Sequence, residues 1–584
     1  MLEDILLQVN KPARYIGQEW NVSRKDFDKA YIKFALCFPD LYELGMSNLG
    51  LRIIYGILNA IPDVTCERIF SCQQDMQDLL RAGNLGIFSL ESQKRLREFD
   101  IIGFSLGSEL DYTNVLNILE MGSIPLESHL RDHSYPLVIA GGPCTLNPEP
   151  VHDFFDFFVI GEAEDPILEI IELYRREKAK FKSAKLTKQD LLTMFCQIEG
   201  VYVPSLYEVK YNSKGAIEEF RPKAEGAPVR IKKRFVKDFD ASYFPSDWLV
   251  PYIQIVHDRI TLEIMRGCPN SCRFCQARSQ YHPLRIRNPD NVLNLARDTY
   301  SRTGYEDLSL AGLSVGDYPH MGILVSDLLK FFKEKAVGIS LPSLKAKQIV
   351  GHLSSLVACV KKTGLTFAPE AGTVRLRNII GKDFDEEAFF KVIEQASLTG
   401  YRHVKFYFMI GLPTEEDKDL DAIADLTMRI LESLNSIKNK ARYVNISINT
   451  LIPKPHTPLQ WFGMADVEKI KDKQNYLTSK IRNKRIILNF HNRYMSFIEG
   501  ILSRGDRRLS RVVLSAFKRG AKFDAWGNYF AINSWIGAFK ECDIEPEFYL
   551  KERSTHEFLP WDFIDIGIDK ETLIQEFNKS IDIK

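Results

Sequence analysis

Cys268-Pro-Asn-Ser-Cys272-Arg-Phe-Cys275 sets three cysteines at C-x3-C-x2-C spacing, directly after the apolar run Ile260-Thr-Leu-Glu-Ile-Met265. The run reads as a β-strand and the cysteines as a loop at its end. Thiolates are soft ligands suited to iron and zinc, and closely spaced cysteines on one loop can converge on one centre. A closed zinc site or an electron-transfer cluster wants a fourth ligand nearby, yet the next cysteine along is Cys359. The expected occupant is a 4Fe-4S cluster with three irons held by Cys268, Cys272 and Cys275 and one iron left open.

Downstream, strands and helical stretches alternate. Asp307-Leu-Ser-Leu-Ala-Gly312, Gly338-Ile-Ser-Leu-Pro342, Leu365-Thr-Phe-Ala-Pro369, residues 404–410 and residues 444–452 read as strands two to six. The economical arrangement is a six-stranded partial (β/α) barrel over residues 256–480, with the chemistry at the C-terminal strand ends. The cysteine loop follows strand one and falls at that end. Arg266, Arg285 and Arg287 bracket the loop. They either pair an anion, since guanidinium binds carboxylate bidentately, or only close the loop by salt bridges. Tyr281 and His282 are open in the same way.

Residues 1–175 carry a second alternation. Tyr31–Phe38, Phe99–Ser105, Pro136–Ala140 and Phe155–Ile160 are apolar runs, each followed by a polar or Gly-rich turn and a helical stretch. That is the pattern of a doubly wound, Rossmann-like parallel sheet. Ligands bind beyond the C-terminal strand ends of such sheets. Those ends hold Ser105, Gly141, Gly142, Gly161 and Glu162, and glycines there let a bulky ligand approach the backbone. Residues 176–255 read as a connector with a hairpin around the turn Asn212-Ser-Lys-Gly215. Residues 481–584 read as mostly helical, with a seventh strand at Arg485–Phe490. The basic residues between Arg504 and Lys522 read either as a solvated helix face or as a contact for RNA phosphate.

The totals set limits. Lys plus Arg and Asp plus Glu both number 77, so no global charge points to nucleic acid. No apolar run approaches the roughly 20 residues that span a bilayer, and the acidic start Met1-Leu-Glu-Asp is not a signal peptide. Cys37, Cys66, Cys72, Cys144, Cys196, Cys359 and Cys542 show no disulfide-like spacing. A cytoplasmic, reducing location fits.

The cysteine spacing, its place after a first strand and Phe274 before the last cysteine resemble the radical S-adenosylmethionine (radical SAM) superfamily. The resemblance implies that the open iron chelates SAM and that the reduced cluster cleaves it to methionine and a 5′-deoxyadenosyl radical. It assigns Gly312 and Ser314, in Ala311-Gly-Leu-Ser-Val-Gly316, to the segment that meets the SAM ammonium, in a form departing from the usual Gly-Gly-Glu. Glu370, in Ala368-Pro-Glu-Ala-Gly372, takes the place of the polar fourth-strand residue that faces SAM. Gly411, in Met409-Ile-Gly-Leu-Pro413, lies beside the adenine. The runs IAGGP and VIGEAE resemble the cobalamin-binding-like domain of one subgroup, although D-x-H-x-x-G, the motif that supplies a cobalt-ligating histidine, does not occur. Phe38–Glu43, Gly45–Gly50, Ser503–Arg508, Phe523-Asp-Ala-Trp526 and Glu557–Asp562 resemble a bacterial radical SAM family with no assigned reaction.

Cobalamin, if bound, implies methylation of an unactivated carbon. Without it, a radical oxidoreductase or rearrangement enzyme is implied. The reading of another class is a non-catalytic iron-sulfur or RNA-binding module. The implied partners are a reductant such as flavodoxin or ferredoxin and a substrate that is a small molecule, RNA or protein, with no membrane.

Overall fold

The computed structural model describes residues 2–340, 365–398, 403–435 and 443–582. They form two units: Met1–Asp258 with Leu502–Pro546 and His556–Gly567, and Arg259–Ile501 with Glu547–Thr555 and Ile568–Lys584. The helices expected after residue 480 are thus divided between the two. Among the described residues no helix is long and apolar enough to cross a membrane.

The first unit is built on six strands: β1 (Ile32–Phe38), β2 (Val64–Phe70), β3 (Ile101–Ser105), β4 (Leu137–Gly141), β5 (Phe157–Val159) and β6 (Val201–Tyr202). They lie in the order β2-β1-β3-β4-β5-β6. The first five run parallel, and β6 pairs antiparallel with β5. Helices cover both faces of a parallel sheet, so its strands read as near-continuous apolar runs. β1, β3, β4 and β5 do so.

β2 does not, and sequence reading passes over it. Its middle is Glu67-Arg68, both buried. Arg68 is paired on both sides, with Glu19 at 2.7 Å and Glu91 at 2.6 Å. Glu67 accepts hydrogen bonds from the hydroxyls of Ser89 and Ser92. Full pairing is what lets an ionised pair sit inside a sheet face. In the connector, Tyr207–Tyr211 pairs antiparallel with Ile217–Pro222 on either side of Asn212–Gly215, while Val201–Tyr202 joins the main sheet.

Parallel strands need a crossover, usually a helix. Between β4 and β5 the chain makes only two 3-10 turns, Pro143–Leu146 and Glu149–Phe154, since Pro143, Pro148 and Pro150 oppose a continuous α-helix. The C-terminal helix Leu509–Lys518 packs there, against Glu149–Phe154 and the helix Tyr112–Met121. Arg507 fastens it, donating to the Glu149 carboxylate at 2.6 Å and the Tyr202 hydroxyl at 2.7 Å.

Among its described residues the second unit holds seven parallel strands in two groups. β7 (Ile260–Glu263), β8 (Asp307–Ala311) and β9 (Gly338–Ser340) form one, and β10 (Leu365–Glu370), β11 (His403–Ile410), β12 (Tyr443–Thr450) and β13 (Ile486–Phe490) the other. The seventh strand expected at Arg485–Phe490 is β13, and it pairs with β12 as a continuation of the second group. Leu341 and Pro342, expected in the third strand, lie outside the described residues. Phe406, Ile446, Phe389, Ile423 and Ile430 belong to the buried cluster beneath the second group.

Asp524 of the first unit gives a pH test. Its carboxylate accepts from Thr113 Oγ1 at 2.7 Å and Trp535 Nε1 at 3.2 Å. Burial pushes it up to about 6, against those two hydrogen bonds. A carboxyl raised in the folded state binds its proton more tightly there than in the unfolded chain, so stability falls as pH rises between the two values. The loss is on the order of 3 kcal/mol between about pH 4 and pH 6. Asp524→Asn is expected to flatten that part of the stability-against-pH curve, read by denaturant unfolding across the window.

Candidate active site

The cysteine loop leaves β7 through Gly267, and an antiparallel pair, Met265–Arg266 with Arg285–Ile286, closes its base. Arg266 pairs with Glu263 at 2.8 Å. Arg285 donates to the carbonyls of Pro283 and Tyr281, and Arg287 is buried with its amide on Ile264. Of the two roles open to these arginines, their described contacts are those of loop closure.

Cys268, Cys272 and Cys275 are all half-buried. Burial pushes Cys272 up to about 11, opposed by the Lys382 ammonium and assisted by the neighbouring Cys275 and Cys268. Cys275 is raised by burial as well. The three thiols therefore share one environment. Yet among the described residues no three His, Cys, Asp or Glu side chains converge on a single-ion position.

Two contacts seat the loop. Phe274 packs against an apolar cluster formed by Ala371, Leu376, Ile379, Ile380, Met409, Leu412, Leu451 and Leu459, residues that follow or end β10, β11 and β12. Beside it Arg273 donates to the carbonyls of Asn378 at 2.7 Å and Ile379 at 2.8 Å, at the end of the helix Val374–Ile379, and pairs with Glu576 at 3.0 Å. A cation there satisfies helix carbonyls that lack partners. The Arg273 amide bonds the Ile380 carbonyl at 2.8 Å. Phe274 thus sits in packing.

The other expected residues stand at the same strand ends. Gly312 follows β8, and Ser314 is buried, its hydroxyl on Asp317 at 2.7 Å. Asn270 of the cysteine loop ties in, its amide 2.9 Å from Asp317 and 3.3 Å from Cys268 Sγ. Gly411 follows β11, its amide on the Glu415 carboxylate at 2.8 Å.

Glu370 ends β10 at a register shift and holds a left-handed φ of 67°. A non-glycine residue there is strained, and such strain gathers at functional sites. Burial raises the Glu370 carboxyl, and Lys382, 3.5 Å away, lowers it in part. Asn270, Arg273, Asp317 and Lys382 were not among the expected site residues. Only the placement of Asn270 and Arg273 inside the cysteine motif could have flagged them; Asp317 and Lys382 carry no local signal.

In the first unit, Ser105, Gly141, Gly142, Gly161 and Glu162 do stand at or just beyond the ends of β3, β4 and β5. The close approach permitted there is made by the chain itself. Gly142 has φ 107°, and a Cβ on it would lie 2.7 Å from the Leu106 carbonyl. Gly161 has φ 100°, and its Cβ would lie 2.1 Å from the Arg234 carbonyl. The Glu162 carboxylate accepts from the Val236 amide at 2.8 Å. Of the basic run after residue 503, Arg504 is fully buried and Arg507 and Arg508 pair with Glu149 and Asp506, while Arg511, Lys518 and Arg519 are exposed, Arg519 pairing with Glu541 at the surface.

Residues 50–204 match the family described as radical SAM proteins, N-terminal, and residues 262–427 match the radical SAM superfamily. An uncharacterized protein of Methanocaldococcus jannaschii, MJ0966, is 29% identical over 512 residues, covering 87% of this chain and 96% of its own. The tRNA-2-methylthio-N(6)-dimethylallyladenosine synthase of Pelagibacter ubique is 23% identical over 39% of this chain and 50% of its own. Among solved structures, the radical SAM methyltransferase TsrM of Kitasatospora setae with tryptophan and aza-SAM overlaps 71% of this chain and 72% of its own, at 11% identity and a TM-score of 0.41. Two successive radical SAM regions, with the three-cysteine loop inside the second, place this chain in the radical SAM superfamily, as an enzyme whose cofactors are a 4Fe-4S cluster and SAM.

Proposed function

We propose that Cys268, Cys272 and Cys275 hold the 4Fe-4S cluster and that the chain uses SAM to abstract a hydrogen atom from a substrate carbon. The observation that carries this reading is the seating of the three-thiol loop, by Phe274 and Arg273, against the ends of the strands that carry Glu370 and Gly411. When bound, the reduced cluster supplies the electron that cleaves SAM to methionine and a 5′-deoxyadenosyl radical. A flavodoxin or ferredoxin in a reducing cytoplasm is the matching electron source, and the nine described cysteines are all free thiols.

The chain's own residues do the positioning. Asn270, bonded to Cys268, Ser314 and Asp317, holds the loop to the end of β8. Glu370 presents a buried carboxyl in a strained, fixed pose. It is suited to accept hydrogen bonds from the ammonium or ribose of SAM. Lys382 faces both Glu370 and Cys272 with a positive charge. The Phe274 cluster keeps water from that side of the site.

Of the finer readings, an oxidation or rearrangement without cobalamin is favoured by the chain's own backbone closing on Gly142 and Gly161. Methyl transfer to carbon from cobalamin is the second reading. It has the β2-β1-β3-β4-β5 order on its side, since doubly wound sheets of that order bind a cofactor at the β1/β3 switch point. RNA as substrate rests on the named activity of the Pelagibacter ubique relative. Within the basic run, Arg504, Arg507 and Arg508 are held by the chain, and Arg511, Lys518 and Arg519 stand on the exposed face.

Two variants test the main reading after anaerobic reconstitution with iron and sulfide. Cys272→Ala is expected to lose iron and 5′-deoxyadenosine formation together; a variant that keeps both would remove the loop from the chemistry. Glu370→Gln is expected to keep its iron while weakening SAM binding about tenfold, the equivalent of one lost charge-assisted hydrogen bond. Equilibrium binding of SAM and iron analysis on the same sample check it.

A further inference from the structure

We infer that the ligand crevice of the N-terminal sheet is permanently occupied by the chain's own segment Phe523-Asp-Ala-Trp526, so that no corrin binds there. In a sheet of order β2-β1-β3-β4-β5 the crevice opens where the order reverses, between the C-terminal ends of β1 and β3. β1 ends at Phe38 and runs into Pro39-Asp40; β3 ends at Ser105 and leads to the helix Tyr112–Met121.

The segment is bonded to both sides of that opening. The Phe523 amide donates to Asn114 Oδ1 at 2.7 Å, and the Asn114 amide donates in turn to the Pro39 carbonyl at 2.8 Å. Asp524 accepts from Thr113 at 2.7 Å, and Trp526 Nε1 donates to Asp40 at 2.9 Å. Phe523 and Asp524 are 2% and 0% exposed, so they lie in the crevice rather than over it.

Two of the neighbouring strand ends, at Gly142 and Gly161, are closed by the chain itself, while Gly141 meets nothing nearer than 4.0 Å. Leu106 closes on Gly142, bonded both to the Gly141 carbonyl at 2.8 Å and to the Cys144 amide at 3.3 Å. The strand end of β5 is joined by residues 234–236, with the Glu162 amide on the Arg234 carbonyl at 3.0 Å. A macrocycle with a nucleotide tail needs backbone approach at these glycines and depth at the switch point. The depth at the switch point is taken by Phe523 and Asp524, and the approach at Gly142 and Gly161 by the chain's own backbone. Polar side chains that a ligand would have to desolvate, Thr113, Asn114 and Asp40, already have their partners within the chain.

The inference stands apart from the SAM reading. The test uses the full chain, reconstituted with iron and sulfide, incubated anaerobically with excess hydroxocobalamin, and desalted. Corrin is read from visible absorption, and 5′-deoxyadenosine is measured separately. The expected result is no corrin above a protein-free blank, with slow hydrogen exchange at residues 520–528 that added hydroxocobalamin leaves unchanged. Retention approaching one corrin per chain, or faster exchange in that segment on adding hydroxocobalamin, would overturn the inference. A chain that binds corrin and also cleaves SAM loses only this proposal. A chain that fails to make 5′-deoxyadenosine but excludes corrin loses only the earlier one.

Discussion

The docking of one short loop governs the second unit. A three-cysteine loop has little structure of its own, since most of its residues are committed neither to a helix nor to a sheet ladder. Phe274 and Arg273 supply what the loop lacks. The ring joins eight apolar residues gathered from three strand ends, and the guanidinium completes the carbonyls at the end of the helix Val374–Ile379. Phe274 is only partly buried, so its ring contributes part of the stabilisation of a fully buried aromatic, and the charge-assisted bonds to carbonyls add direction that apolar contact cannot. With the loop so held, the thiols, Glu370 and Lys382 share one electrostatic environment, as their mutual influence shows.

Glu370 is the place where the local rules are broken. A β-strand that ends on a left-handed glutamate at a register shift gives up ladder pairing and backbone comfort at once. Its carboxyl is then buried with a single lysine nearby, which only partly offsets the desolvation. Stability alone does not ask for such a residue. A site that must present a carboxyl in one orientation does.

The first unit illustrates a different economy. Its sheet has a cofactor-binding strand order, but a C-terminal segment more than three hundred residues downstream completes it. The helix Leu509–Lys518 packs where the proline-rich β4–β5 connection makes no α-helix, and Phe523 and Asp524 enter the switch point. The same glycines that would admit a ligand admit peptide backbone instead. Strand order and glycine pattern describe a space; they do not say what fills it.

How much could be read without coordinates follows from the range of the forces involved. The cysteine spacing, the apolar runs of β1, β3, β4 and β5, and the turns after β8, β10 and β11 are local signals, legible because ligand geometry and strand burial act over a few residues. β2 was illegible because its buried Glu67-Arg68 pair depends on Glu19, Glu91, Ser89 and Ser92 from elsewhere. Lys382 and Asp317 were illegible because nothing in their neighbourhoods distinguishes them from solvated charges. The sequence by itself carried the family's three-cysteine spacing and a parallel β/α scaffold, from which the proposed cluster site follows. Only the tertiary structure set Lys382 beside the thiols, bonded Arg266 and Arg285 within their own loop, and brought Phe523 and Asp524 against the first sheet. The first and last of those outcomes rest on contacts between segments far apart in the chain, whose partners exist only once it has folded.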